Sequence, residues 1–216
     1  RRSLRRPRRQ FTEELSDRLG PRIADLTNRP LLTPREGLPI GFETTERWLD
    51  EVCAAVGVEA GPALDDVRDA RREAVNHLAR FHSLTGLPRG ATFAIRSSAS
   101  LTLPLARWLY EYLGMAPVSL QVTEGRPERI ENLTTWLDSI ELPEAWQADP
   151  ADCRPDVVIG DGSLIGAMMT LERPPVTIDI ELPTTGTIDV LPKKLVGAEG
   201  ALTLLERIIN GLYQQC

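Results

Sequence analysis

Small hydroxyl and acidic residues stand where short apolar runs of this chain stop. Ser97 and Ser98 follow Ala91-Thr92-Phe93-Ala94-Ile95, and Asp161-Gly162-Ser163 follows Asp156-Val157-Val158-Ile159-Gly160. Thr184 comes just after Val176–Ile180, through Glu181-Leu182-Pro183. Such side chains exchange hydrogen bonds readily, but without an activating neighbour they are poor nucleophiles and bases. The set suits holding a ligand or a partner better than acid–base work. Glu199 lies between Gly197 and Gly200 at the expected start of the last helix. There, exposed N–H groups attract anions and glycine permits close approach. Each candidate also has a plainer reading. Ser97 and Ser98 could cap a helix, and Asp161-Gly162-Ser163 could be only a strand-to-helix turn. Glu199 could serve the helix dipole, a contribution of a few tenths to about 1 kcal/mol.

Other chemistry finds little support. The cysteines are Cys53, Cys153 and Cys216, widely spaced and with no CxxC. An odd, scattered count argues against a disulfide framework and a self-contained zinc site. Cys53 falls inside an apolar helical pattern and reads as a small core residue, whereas Cys153 lies in a polar Asp-Cys-Arg-Pro stretch. His77 and His82 are five apart on one expected helix, which does not place them on one face. No GxGxxG, GxSxG, Walker A or HExxH motif occurs. The expectation is therefore no catalytic residue and no metal or cofactor bound by this chain alone.

Composition sets the class. With 216 residues, 42% hydrophobic and 26% charged, the chain can bury a real core and reads as globular. No run of 18 apolar residues and no signal-type apolar stretch appears, so the sequence reads as cytoplasmic and without a membrane partner. The net charge is −6, but six arginines in the first nine residues leave −12 on the rest. An acidic body without interleaved aromatics makes nucleic acid an unlikely partner and leaves the basic run as a solvated tail or an arm for an acidic partner. The first residue is not Met, which is compatible with a piece of a longer protein.

The elements that would position these residues can be read from periodicity. Residues 11–28 suggest a short amphipathic helix interrupted at Gly20-Pro21, and 29–40 form a Pro- and Gly-rich linker. Helices are predicted from Thr44 or Thr45 to Val56, and from Pro62 to Leu84, ended by Gly57 and Gly86. Then strands over 91–95, 117–122, 156–160 and 176–180 alternate with helices over 101–113, 127–140, 164–171 and 198–213. Ser100 is the expected N-cap of the first of these helices. Continuous apolar strands alternating with helices predict an α/β fold: a Rossmann-like doubly wound parallel sheet of about four strands, order near 2-1-3-4, with N-terminal helices. The expected parts are a tail, short helix and linker (1–36), a helical segment (37–90) and the α/β domain (91–216). In such a sheet ligands bind beyond the carboxyl ends of the strands, where Ser97, Ser98, Asp161, Ser163 and Thr184 would stand.

Laid out in this order, the chain resembles the C-terminal portion of a nitrogenase component 1 subunit or a nitrogenase-like relative, nearer the β-type than the α-type. Four patches carry the resemblance: Gly37-Leu38-Pro39-Ile40-Gly41-Phe42-Glu43-Thr44-Thr45-Glu46-Arg47-Trp48-Leu49; residues 79–95; residues 105–118; and Pro155–Gly160 together with Gly197-Ala198-Glu199-Gly200-Ala201. It implies a heteromeric oxidoreductase. A separate ATP-dependent iron–sulfur reductase would deliver electrons to a complex with an α-type subunit, and an iron–sulfur or related metal cluster would pass them to substrate. Within the same resemblance, a cofactor-assembly scaffold stays open; so does a non-redox α/β binding module. The α-type subunit places a cofactor-ligating histidine just before the Gly-x-acid-Gly turn, where this chain has Val196. The bridging-cluster cysteines belong to an N-terminal domain that this sequence does not include. The resemblance thus implies a non-ligating half, with Ser97, Ser98, Asp161, Ser163, Thr184 and Glu199 lining a cofactor or substrate cavity.

Overall fold

The computed structural model describes residues 13–29, 31–181 and 194–215. The chain divides into two compact units, Arg1–Thr33 and Pro34–Cys216. In the first, helix α1 (Glu13–Thr27) runs through Pro21 without a break, where an interruption was expected. Proline's fixed φ is itself helical, so it costs one backbone hydrogen bond and leaves the turns on either side intact.

The second unit holds α2 (Phe42–Val56), α3 (Gly61–Thr85), β1 (Thr92–Ser97), α4 (Ala99–Arg107), β2 (Ala116–Val122), α5 (Pro127–Ser139), α6 (Pro150–Cys153), β3 (Val157–Asp161), α7 (Gly162–Met168), β4 (Val176–Glu181) and α8 (Gly197–Gln215). The four strands form one sheet in the order β2-β1-β3-β4, and every pairing is parallel. This is the predicted α/β sheet and the predicted order.

Strand alternation divides the core. Phe93, Ile95, Val157, Ile159 and Ile178 join the larger cluster with apolar residues of α2, α3, α4, α5 and α8. Ala94 and Val158, one residue out of phase, face Leu164, Ile165 and Met168 of α7. Both faces are therefore dry, which is why these strands read as unbroken apolar runs.

Two local departures from the sequence expectation shape the site. First, β1 continues through Arg96 and Ser97, which pair with Gln121 and Val122 of β2. The N-cap of α4 is then Ser98, with Ser100 already inside the helix. The Ser98 carbonyl accepts the N–H groups of Leu101 and Thr102 at 3.1 and 2.9 Å. The polar end of β1 stays in the sheet because its side chains find partners at the ends of β3 and β4.

Second, the expected helix over 101–113 is α4 followed by a π-helical turn, Trp108–Tyr112. Pro104 lies within α4 and has no N–H to give the Ser100 carbonyl. That carbonyl accepts the Leu38 N–H instead, at 2.9 Å. A Cβ on Gly37 would lie 2.3 Å from the same oxygen, so the close docking of this segment on α4 requires glycine. Two patches that looked separate in the sequence, 37–49 and 105–118, thus meet along one helix.

Candidate functional site at the carboxyl edge of the sheet

β1, β3 and β4 end side by side, and their last residues are coupled in pairs across the sheet. On β1, Arg96 reaches Asp161 at the end of β3, Nη2 to Oδ1 at 2.9 Å and Nε to Oδ2 at 3.2 Å. The next residue, Ser97, points to the other face as strand geometry demands. It is fully buried and donates its hydroxyl to the Glu181 carboxylate at the end of β4. β3 lies between these two strands.

Asp161 also caps α7, accepting the N–H groups of Ser163 at 2.7 Å and Leu164 at 3.1 Å. Burial by itself would raise its pKa. The hydrogen bonds and charge of Arg96 and the two N–H groups outweigh burial, and the carboxyl lies below its ordinary value. Asp161 is a fixed anion, held in place on three sides, and so is not available to shuttle a proton near neutral pH. Next to it, Ser163 is exposed. Ser98, half-buried, has its hydroxyl 3.0 Å from that of Ser100. The β2 end closes the edge from beside β1: the Glu124 carbonyl accepts the Ala99 N–H at 2.8 Å.

The sequence-derived candidates therefore separate into two kinds. Ser97 and Asp161 are committed to internal partners. Ser98 and Ser163 retain solvent access at the same edge. Thr184 lies outside the described residues. Glu199 is exposed in the first turn of α8 and forms an ion pair with Lys194. The turn around it has a structural task. The Gly197 N–H bonds the Pro39 carbonyl at 2.8 Å. A Cβ on Gly200 would lie 2.4 Å from the Leu195 carbonyl carbon, so the chain folds over the helix start. Val196 is 44% exposed.

Sequence reasoning passed over Arg96 and Glu181. The signal was present in both: Arg96 directly follows the apolar run Phe93–Ile95 and Glu181 is the last residue of β4, and ions at the end of a buried sheet need partners.

Among the described residues the donor set does not fit a metal cluster. Cys53 and Cys153 are half-buried, and His77 and His82 are exposed on α3. Among the described residues no three His, Cys, Asp or Glu side chains converge as a metal site would require. Burial, together with the charges of Asp152 and Asp149, raises the Cys153 thiol further from the thiolate that ligation needs. Among the described residues no helix is long and apolar enough to cross a membrane.

Comparison with known proteins places this architecture. No curated protein matches the sequence. The solved structure of nitrogenase Cp1 at pH 6.5 shares the fold with a TM-score of 0.66 and 16% identity, over 82% of this chain and 39% of that one. At that identity the likeness is one of fold, and this chain spans well under half of its counterpart's length. A family model, nitrogenase component 1 type oxidoreductase, matches residues 9–213. With nearly its whole length matched, the chain belongs to the nitrogenase component 1 type oxidoreductase family.

Proposed function

We infer that this chain serves as the C-terminal α/β part of a nitrogenase-like component 1 subunit, within a heteromeric oxidoreductase. In this reading an α-type subunit packs beside it, and an ATP-dependent iron–sulfur reductase supplies electrons to the complex. The chain contributes a wall. Its strand-end loops line a cavity for cofactor or substrate, with Ser98, Ser163, Thr184 and Glu199 as contact residues, while cluster ligands come from elsewhere.

The observation that carries this reading is the carboxyl edge of the sheet. Its strongest ionic groups, Arg96 and Asp161, neutralise one another, and the buried hydroxyl of Ser97 is spent on Glu181. What faces outward among the described residues is a rim made of the Ser98 and Ser163 hydroxyls and the Glu199 carboxylate, the last paired with Lys194. Such a rim can position a guest but has no base or nucleophile ready to act on it.

The test is co-expression with an α-type subunit and an iron–sulfur reductase. The expected result is a complex that contains iron and consumes reductant in the presence of ATP, while this chain purified alone has no stoichiometric iron. Iron bound by the isolated chain would overturn the non-ligating role. A complex without iron that reduces nothing would overturn the oxidoreductase reading. Transient cluster loading followed by transfer, without turnover, would identify an assembly scaffold instead.

A further inference from the structure

Along α4, residues of α2, α3 and the following π-helical turn enclose a second site, together with Glu36 and Ile40 beside the segment that docks on Ser100. The cleft has a volume of about 100 Å³, small beside the roughly 300–1,000 Å³ of sites for drug-sized ligands, so it fits only a small guest. Its floor is aromatic. Phe42 meets Tyr112 edge-on at 5.2 Å between ring centroids, and Trp108 stacks on Tyr112 at 6.1 Å. Arg71 sits 5.7 Å from the Phe42 ring centroid.

Four buried polar atoms in this one cleft have no hydrogen-bond partner: Arg71 Nε, Arg107 Nε, Trp108 Nε1 and the Tyr112 hydroxyl. Trp108 is only 6% exposed. Buried donors are nearly always paired, so a concentration of them around one space demands an explanation. Three of the four can only donate, and the fourth can donate as well. The guest they fit must bring acceptor oxygens. The π-helical turn is a second pointer. Widening the helix costs hydrogen-bond geometry, and such turns are found most often at functional sites.

The charges around the cleft narrow the class. Arg47 pairs with Glu36 at 2.6 Å, Arg71 with Glu46 at 3.2 Å, and Arg107 lies 3.9 Å from Glu36. Glu43 and Glu111 also line the opening. Three arginines thus face four carboxylates, which would repel a multiply charged phosphate. A single negative charge shared over two acceptor oxygens fits better, and the aromatic floor favours a flat apolar body behind it.

We propose that the cleft formed by Phe42, Arg71, Arg107, Trp108 and Tyr112 is a binding site for a small aromatic carboxylate. The site does not depend on the oxidoreductase reading. The test uses the full chain and benzoate as probe, followed by calorimetry and by tryptophan fluorescence. Benzoate should bind saturably with a Kd of about 1 mM or tighter. Acetate, which lacks the flat body, and benzyl alcohol, which lacks the carboxylate, should each bind about tenfold more weakly. Tyr112→Phe removes only a hydroxyl and Trp108→Phe only the indole donor and part of the ring. Each should weaken benzoate about five- to tenfold, with Tyr112→Phe keeping the native melting temperature within a few degrees. Absence of saturable binding to the unmodified chain would overturn the proposal, as would benzoate affinity unchanged in both variants. Equal affinity for benzoate and acetate would overturn the aromatic specificity.

Discussion

The Asp161 carboxylate at the end of β3 holds Arg96 of β1 at 2.9 Å and at the same time caps α7 through the N–H groups of Ser163 and Leu164. One side chain thus joins two strands and starts a helix. Asp161→Ala would remove the cap, worth about 1 kcal/mol, and leave a largely buried guanidinium without its partner, a further cost of about 1–3 kcal/mol. Chemical denaturation should show a loss of about 2–4 kcal/mol. A loss below about 0.5 kcal/mol would mean that the pair contributes nothing and that water replaces it.

The same carboxylate sets an acid limit on stability. Its folded pKa lies below the ordinary 3.8, burial being outweighed by Arg96 and the two N–H groups. A depressed folded pKa contributes stability above the unfolded value, and that contribution disappears as pH falls through the folded value. The denaturation midpoint of the unmodified chain should therefore drop in the acid range below about pH 4. Asp161→Asn, already weaker at neutral pH, should show a smaller drop there. Parallel curves for the two proteins across this range would exclude Asp161 as a contributor.

Close docking of the 37–41 segment on α4 makes opposite predictions for two glycines. Gly37 has φ +98, and a Cβ there would stand 2.3 Å from the Ser100 backbone oxygen. Gly37→Ala should cost about 2–4 kcal/mol, because neither strained backbone nor carbonyl can yield cheaply. Gly166, inside α7, has no atom within 4 Å of its would-be Cβ. Gly166→Ala should gain about 0.5–1 kcal/mol from helix propensity. Melting temperatures of the two variants should move in opposite directions.

Much of this architecture is legible in the residue order. The strands were readable because both faces of the sheet are buried, so Phe93 to Ile95 and Val157 to Ile159 show no polar alternation. What local pattern hides is satisfaction at a distance. Arg96 and Ser97 read as a polar turn, yet they remain in β1 because Asp161 and Glu181 answer them from strands that come 65 and 84 residues later. Pro21 reads as a break, and Pro104 passes without remark inside the helix expected over 101–113. The structure reverses that emphasis: α1 continues through Pro21, while Pro104 frees the carbonyl on which Leu38 docks. The cleft over Trp108 and Tyr112 was invisible for a further reason. Its aromatics fit the helical core pattern, and only the three-dimensional arrangement shows their polar atoms left without partners.

The thiol of Cys153 gives a chemical readout of local charge. Burial, then Asp152, then Asp149 push its pKa above the ordinary 9.0, so the reactive thiolate is scarce at neutral pH. Alkylation by iodoacetamide at pH 7.5 should be slower at Cys153 than in a short peptide of the same sequence, by mass spectrometry of the digested protein. Asp152→Asn should raise the rate about twofold, since it removes one of the charges opposing ionisation. A Cys153 that reacts as fast as the peptide would contradict the assignment.

Ser97 and Ser163 separate a structural hydroxyl from a contact hydroxyl at the same edge. Ser97 is fully buried and donates to Glu181. Ser97→Ala leaves that carboxylate short of a donor and should lower stability by about 1–2 kcal/mol. Ser163 contributes its backbone N–H to the Asp161 cap, and its side chain is exposed. Ser163→Ala should therefore leave stability within about 0.5 kcal/mol. If the outer hydroxyls line a cavity in the assembled oxidoreductase, Ser163→Ala should nevertheless reduce its turnover or raise KM severalfold. The decisive comparison is turnover of the reconstituted complex against the melting temperature of the same preparation. A Ser163→Ala complex with unchanged kinetics would remove Ser163 from the cavity wall, and a Ser97→Ala chain as stable as the parent would remove the Ser97–Glu181 bond from the forces holding β1 to β4.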